Sequence, residues 1–74
     1  MKKNARLVML GKVIRERREA MGLSQEELAE LSGFHRTYVG GIERGERNIT
    51  VLSLNQLSKA LQMKPHEILH RAGL

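Results

Sequence analysis

Residues 24–45, SQEELAELSGFHRTYVGGIERG, predict two short helices with a tight turn between them. Ser24 can begin the first helix with a capping box, in which its hydroxyl accepts a hydrogen bond from the backbone N–H of Glu27 and the Glu27 carboxylate accepts one from the backbone N–H of Ser24. Gly33 can end this helix, because glycine adopts the left-handed conformation at a helix C-terminus without strain. The residues predicted to face the core from this helix are Leu28, Ala29, Leu31 and Ser32.

The spacing within this stretch is that of a helix-turn-helix motif. With Gln25 counted as the first position, the small residue Ala29 is fifth, where two helices cross too closely for a larger side chain. Gly33 is ninth, where the turn needs a positive φ. Val39 and Ile42 are fifteenth and eighteenth, so they can reach the same core from the second helix. Because a helix-turn-helix places its second helix in the DNA major groove, the spacing predicts DNA recognition.

The chain resembles the Xre/Cro-type family of phage repressors and small bacterial regulators over about residues 10–69. The resemblance rests on IRERRE, GLSQEELAELSG, YVGGIERG, LNQLSKALQM and EIL, and HRTYVGGIERGERNIT is most similar to the controller proteins of restriction-modification systems. It implies a transcription regulator, with a phage-type repressor or an antitoxin that represses its own operon as alternatives. It also implies an ion pair between Arg18 and Glu43 that joins the first helix to the third and orients the recognition helix.

Hydrophobic periodicity predicts an all-α chain of five helices without strands. The predicted helices are Ala5–Met21, Gln25–Ser32, Arg36–Arg44, Val51–Gln62 and a fifth that Pro65 begins. The residues expected to face inward from the first and fourth helices are Leu7, Leu10, Ile14, Met21, Val51, Leu54, Leu57 and Leu61. We expect residues 1–4 to be a basic tail and residues 5–74 to be one repressor-like domain with its helix-turn-helix at residues 25–44.

Charge and composition favour a protein that binds a polyanion. The 74 residues include 13 Lys and Arg against 8 Asp and Glu, giving a net charge of +5 and a pI near 10.3, which is typical of nucleic-acid-binding domains. With no cysteine and no long apolar run, we expect no disulfide scaffold, signal peptide or membrane span. We therefore expect a protein of the bacterial cytoplasm that associates with the nucleoid.

The first exposed residues of the second motif helix are the predicted base readers. Arg36 can donate two N–H groups to guanine O6 and N7, and Thr37 can offer a hydroxyl and a methyl group to thymine. A phosphate contact or a solvated side chain is the alternative for Arg36. Tyr38 can bind a phosphate or stack at the groove edge, or it can be a partly buried structural tyrosine. His35 is the expected N-cap, near a phosphate.

Contacts to the DNA backbone are predicted on either side of this helix. Ser24 and Gln25 open the first motif helix, where side chains and free N–H groups together suit a phosphate oxygen. Arg47 and Asn48 follow the second motif helix. The resemblance implies a phosphate-binding Gln at position 25 and a second phosphate clamp at 47–48, where Arg47 can also approach bases. Exposed loop charge is the alternative.

Gly40 and Gly41 lie inside a predicted helix, where glycine is unfavourable. They follow Arg36 and Thr37 by four residues, so both lie near the DNA-facing side. We expect a bare backbone there to let the helix sit deep in the groove. Easier packing against the first motif helix is the alternative.

Four apolar residues have no evident core role in a five-helix domain: Leu52, Leu69, Ala72 and Leu74. They are the predicted interface of a homodimer. Since each chain supplies one recognition helix, such a dimer would bind a pseudo-palindromic operator in double-stranded DNA.

One motif points to different chemistry. His66 to His70 reads HEILH, the zinc-hydrolase pattern of two ligands one helical turn apart with Glu67 as general base. The motif lies four residues from the end of the sequence, and no third ligand is evident upstream. We therefore expect no enzyme activity, metal, cofactor or small-molecule ligand. A third possibility is an interaction module of this fold without DNA binding, which Gln25, Arg36, Thr37 and Arg47 disfavour.

Overall fold

The computed structural model describes residues 4–74, which form five α-helices and, within that range, no strand. The helices are α1 (Ala5–Ala20), α2 (Gln25–Ser32), α3 (Arg36–Glu43), α4 (Val51–Ala60) and α5 (Pro65–Arg71). The predicted all-α fold is therefore confirmed, although α1, α3 and α4 end one or two residues earlier than predicted. Of the predicted basic tail, residues 1–3 lie outside the described residues. Asn4 is the N-cap of α1, since its side chain accepts from the backbone N–H of Arg6 at 2.9 Å.

Local signals set most of the helix ends. The predicted capping box of α2 is formed: Ser24 Oγ accepts from the Glu27 N–H at 3.0 Å, and Glu27 Oε1 accepts from the Ser24 N–H at 2.9 Å. Gly33 ends α2 with a φ of 79°. Thr50 begins α4, where its Oγ1 accepts from the Ser53 N–H at 3.0 Å. These ends need only neighbouring residues, so they follow directly from the sequence.

The core lies between all five helices. α3 packs against α1 and α2, α2 packs against α4, and α5 packs against α1 and α4. The buried apolar residues are Leu10, Ile14, Leu28, Ala29, Val39, Ile42, Leu54, Leu57, Leu61, Ile68 and Ala72. Arg17 adds a polar link, because its Nε–H donates to the Leu61 carbonyl at the end of α4 at 2.9 Å. No helix within residues 4–74 is long and apolar enough to cross a membrane.

Two residues predicted to face the core are instead exposed. Leu31 is 62% exposed, because it lies about 160° around the α2 axis from the buried Ala29. Val51 is 82% exposed. It lies at a suitable angle but in the first turn of α4, one turn before Leu54, the first buried residue of that helix. Periodicity alone therefore does not show where along a helix the core begins.

Ala72 corrects the predicted dimer interface. It is 6% exposed and belongs to the core, because it follows Ile68 by one helical turn and its N–H donates to the Ile68 carbonyl. Leu69 is half-buried and packs against the core. Leu52 and Leu74 remain 76% and 52% exposed, so these two residues keep a free apolar surface.

Candidate nucleic-acid interface

The first turn of α3 is open to solvent. Arg36 and Thr37 are both exposed there. His35 is the N-cap, as predicted, although its side chain makes no capping hydrogen bond within the described chain. Tyr38 is half-buried and packs against Phe34, with ring centroids 5.0 Å apart and ring planes tilted by 57°, a favourable aromatic geometry. The side chains of Arg36 and Thr37, the predicted base contacts, are thus free in solvent, next to a tyrosine that packs against Phe34 of the turn.

A buried hydrogen-bond network holds the other end of α3. Arg18 Nε–H donates to Glu43 Oε2 at 2.7 Å, and Arg18 Nη2–H donates to Glu43 Oε1 at 3.1 Å. The same Oε1 accepts from Gln25 Nε2–H at 3.0 Å. The expected Arg18–Glu43 contact is therefore present and bidentate, and it extends to Gln25. One carboxylate on α3 links the helix to both α1 and α2.

Arg18 remains charged in this network although its side chain is only 11% exposed. The hydrogen bond to Glu43 raises the pKa of Arg18 above its ordinary value, against the opposing effect of burial. Arg18 Nη1–H also donates to the Leu23 carbonyl at 2.7 Å, just before α2. The guanidinium thus bonds the loop before α2 and the end of α3 together, which sets their relative orientation.

Gln25 and Ser24 stand at the start of α2 as predicted, but each already has a structural partner. One amide N–H of Gln25 is used by Glu43, which leaves the amide group in a defined orientation. The Ser24 oxygen accepts from the Glu27 N–H in the capping box. The hydrogen bonds that the Glu27 carboxylate accepts from the backbone N–H and the side chain of Ser24 lower the pKa of Glu27. Gln25 is the better placed of the two for a directed phosphate contact.

Gly40 and Gly41 are buried, and arginine side chains cover them. A Cβ atom on Gly40 would lie 3.0 Å from Arg44 Nη1 and 3.6 Å from Gln25 Oε1. A Cβ atom on Gly41 would lie 2.7 Å from Arg47 Cγ. The expected bare backbone is thus covered in the free chain, and the predicted close approach to DNA remains a prediction.

The loop after α3 brings further basic side chains to this surface. Arg47 and Asn48 are exposed. Arg44 is exposed as well, and its Nε–H donates to Glu46 Oε1 at 3.0 Å. A shallow concave surface joins this loop to the turn and to α3, and its lining residues are Gly33, Phe34, His35, Thr37, Tyr38 and Arg47. Side chains separated by the whole of α3 therefore meet on one surface.

Arg44 was not among the residues predicted for this interface. It follows Gly40 by four residues, so helical periodicity places it on the same stripe as Arg36 and Gly40. That spacing could have identified it. Its contact with Glu46 across the C-terminus of α3 could not be inferred from periodicity, because both residues lie beyond the regular helix.

The HEILH motif lies in α5, and its glutamate caps the start of that helix. Glu67 Oε1 accepts from the Lys64 N–H at 2.9 Å, and this hydrogen bond lowers the pKa of Glu67. The carboxylate that a hydrolase would use as a base thus caps its own helix. Within residues 4–74, no group of three or more His, Cys, Asp or Glu side chains is arranged to hold a metal ion.

Comparison with known proteins agrees with this architecture. A helix-turn-helix family model matches residues 14–68. The control protein C.SmaI of Serratia marcescens is 48% identical over 66 residues, which cover 89% of this chain and 79% of that protein. The crystal structure of the controller protein C.AhdI from Aeromonas hydrophila superimposes with a TM-score of 0.86 and 51% identity, covering 88% of this chain and 98% of the other.

A third comparison includes DNA. The structure of the controller protein C.Esp1396I as a tetramer in complex with its natural 35 base-pair operator has a TM-score of 0.81 and 37% identity, covering 90% of this chain and 92% of the other. The fold, the exposed first turn of α3 and these similarities agree with one another. The chain belongs to the helix-turn-helix family of transcriptional regulators, of Xre type, and is close to the controller proteins of restriction-modification systems.

Proposed function

We propose that this chain binds a pseudo-palindromic operator as a homodimer and regulates transcription from it as a restriction-modification controller. The observation that carries the proposal is the exposed first turn of α3, with Arg36 and Thr37, on a helix whose other end is held by Glu43, Arg18 and Gln25. A recognition helix needs free side chains on a rigid support, because base contacts depend on their placement.

The contacts divide into two roles. Arg36 and Thr37 would read base edges, since they project from the end of the helix that enters the major groove. Gln25, at the start of α2, would bind a phosphate oxygen with its remaining amide N–H, and Arg47 and Asn48 would bind the backbone beyond the other end of α3. Tyr38 would lie at the groove edge. Phosphate contacts of this kind set the register of the protein, and base contacts set its specificity.

A homodimer follows from the number of recognition helices. One chain supplies a single α3, whereas a pseudo-palindrome has two half-sites about 34 Å apart. Leu52, Leu74 and the partly exposed Leu69 provide the apolar surface for the interface. The tetramer of C.Esp1396I on its operator contains an even number of chains, as expected when dimers are the binding unit.

We propose no catalytic role, cofactor or small-molecule ligand for this chain. Its relatives are control proteins, among them controllers of restriction-modification systems, and the one carboxylate of its hydrolase-like motif caps α5. The site of action would be the bacterial cytoplasm, where the chain would associate with the nucleoid.

Selection from a random double-stranded DNA library, followed by footprinting, tests the proposal. We expect enriched sequences with two inverted half-sites centred about one helical turn apart, and sedimentation should show dimers at micromolar concentration. Leu52→Asp should weaken dimerisation at least about tenfold. The exposed Leu31 of α2 is the matched control, since Leu31→Asp should leave dimerisation unchanged. A monomer bound to one asymmetric half-site would refute the proposal.

A further inference from the structure

We infer that Gly41 is a positioning residue for Arg47, so that DNA recognition depends on the absence of a side chain at position 41. This inference rests on the proposed DNA-binding function. It assigns a different role to Gly41 than close approach of the helix backbone to DNA, because the residue that occupies the space beside Gly41 is Arg47.

The side chain of Arg47 lies along the backbone of α3 at Gly41. A Cβ atom on Gly41 would be 2.7 Å from Arg47 Cγ, 3.3 Å from its Nε and 3.6 Å from its Cδ. Gly41 is buried although Thr37, one turn earlier in the same helix, is exposed. Three consecutive side-chain atoms of Arg47 therefore account for the cover over this glycine.

The start of the Arg47 side chain cannot move freely away from Gly41. The Glu46 N–H donates to the Gly41 carbonyl at 2.9 Å, which ties the residue before Arg47 to the same peptide of α3. Gly45 adopts a φ of 74° to allow this return of the chain. A methyl group at position 41 would overlap Cγ, close to the backbone, so the whole side chain would have to take another rotamer.

Gly40 differs in a way that makes it a matched comparison. A Cβ atom there would meet the far end of Arg44, with Nη1 at 3.0 Å and Cζ at 3.8 Å, and Gln25 Oε1 at 3.6 Å. The tip of an exposed arginine can swing aside at small cost, whereas Cγ of Arg47 cannot. The two neighbouring glycines should therefore respond differently to the same added methyl group.

The consequence for recognition concerns the direction of the Arg47 guanidinium. Thr37 and Arg47 line the same concave surface beside α3. The contact with Gly41 therefore holds the positively charged Arg47 side chain on the side of α3 that would read bases. Because side chains must be held near their productive geometry to read DNA, a rotamer change at Arg47 would cost affinity even though Arg47 itself is retained.

A double-mutant cycle tests this, because residues that act through one contact are not additive. Thermal melting needs no DNA and comes first. Gly40→Ala should raise the melting temperature, since alanine favours helix. Gly41→Ala should fail to raise it in the native background but should raise it in the Arg47→Ala background. If Gly41→Ala changed the melting temperature by the same amount in the native and the Arg47→Ala backgrounds, the inference would be overturned.

Affinity for the selected operator gives the second reading of the same cycle. Arg47→Ala should weaken binding by about tenfold or more, and Gly41→Ala should weaken it to a similar degree. The double variant should bind within about twofold of Arg47→Ala. Losses that multiply would show that Gly41 acts by direct close approach to DNA. If the native chain selects no operator, the proposed function fails and this inference with it, whereas failure of the cycle alone leaves the proposed function intact.

Discussion

Gly11 of α1 lies directly against the Ile42 carbonyl of the recognition helix. A Cβ atom on Gly11 would overlap the Ile42 oxygen and would lie 2.6 Å from the Glu43 oxygen. The atoms it would meet are backbone carbonyls near the end of α3, which cannot swing aside as a side chain can. The absence of a side chain at position 11 therefore sets how closely α1 approaches the recognition helix.

Gly11→Ala should destabilise the fold by at least about 3 kcal/mol, the upper range for overpacking, because relief requires the two helices to separate. Chemical denaturation measures the change in the free energy of unfolding. The neighbouring Lys12 is exposed, so Lys12→Ala should change it by less than about 0.5 kcal/mol. A Gly11→Ala variant as stable as the native chain would contradict the observed contact.

Glu43→Gln should cost about 3–5 kcal/mol of stability, because it leaves the buried charge of Arg18 without its partner. Arginine does not relieve this by deprotonation, because its pKa is very high even without a carboxylate partner. Replacing both residues, as Arg18→Met with Glu43→Leu, should recover much of the loss. Calorimetry of the native chain and of these two variants checks the order of their stabilities. Equal stability of the single and double variants would contradict the prediction.

Substitution of Arg36 and substitution of Gln25 should have different effects on the affinity for operator and for random DNA. Arg36→Ala should cost about 1–3 kcal/mol of operator binding and relax the preference at one base pair, as expected for a base contact. Gln25→Ala should weaken operator and random DNA to similar degrees, since a phosphate contact carries no sequence information. Fluorescence anisotropy with both DNAs measures the difference. Equal weakening of both DNAs by Arg36→Ala would remove its proposed base-reading role.

The carboxylates of Glu27 and Glu67, which cap α2 and α5, should make the free energy of unfolding depend on pH in the acid range. Hydrogen bonds from the Ser24 and Lys64 backbones lower the pKa of Glu27 and Glu67 in the folded chain. A carboxylate whose pKa is lower in the folded chain stabilises the fold at pH values above its unfolded-state pKa, which is about 4.3 for Glu. This contribution is lost as the pH falls through the folded-state pKa. Glu27→Gln with Glu67→Gln should therefore be less stable than the native chain at neutral pH, and the difference should shrink below about pH 4.3. A difference that stays constant into acid, measured by urea unfolding, would contradict this.

Much of the fold could be predicted because its signals are short-range. The Ser24 capping box, the left-handed Gly33 and the starts of all five helices depend on a few neighbouring residues, and each is found as predicted. The order and spacing of the motif identify the helix-turn-helix for the same reason. Leu31 and Val51 show the limit, since Leu31 lies off the buried face of α2 and Val51 lies in the first turn of α4, before its buried residues begin.

The five helices and the position of Arg36 and Thr37 at the start of α3 follow from short stretches of sequence, since helical periodicity and capping are local. The basic charge follows from the composition. The hydrogen bond from Gln25 to Glu43, the burial of Ala72 and the contact of Arg47 with Gly41 are known only from the packed structure. Each of these contacts joins elements whose separation and angle come from packing. Packing depends on the shapes of all the helices at once, which no local pattern contains.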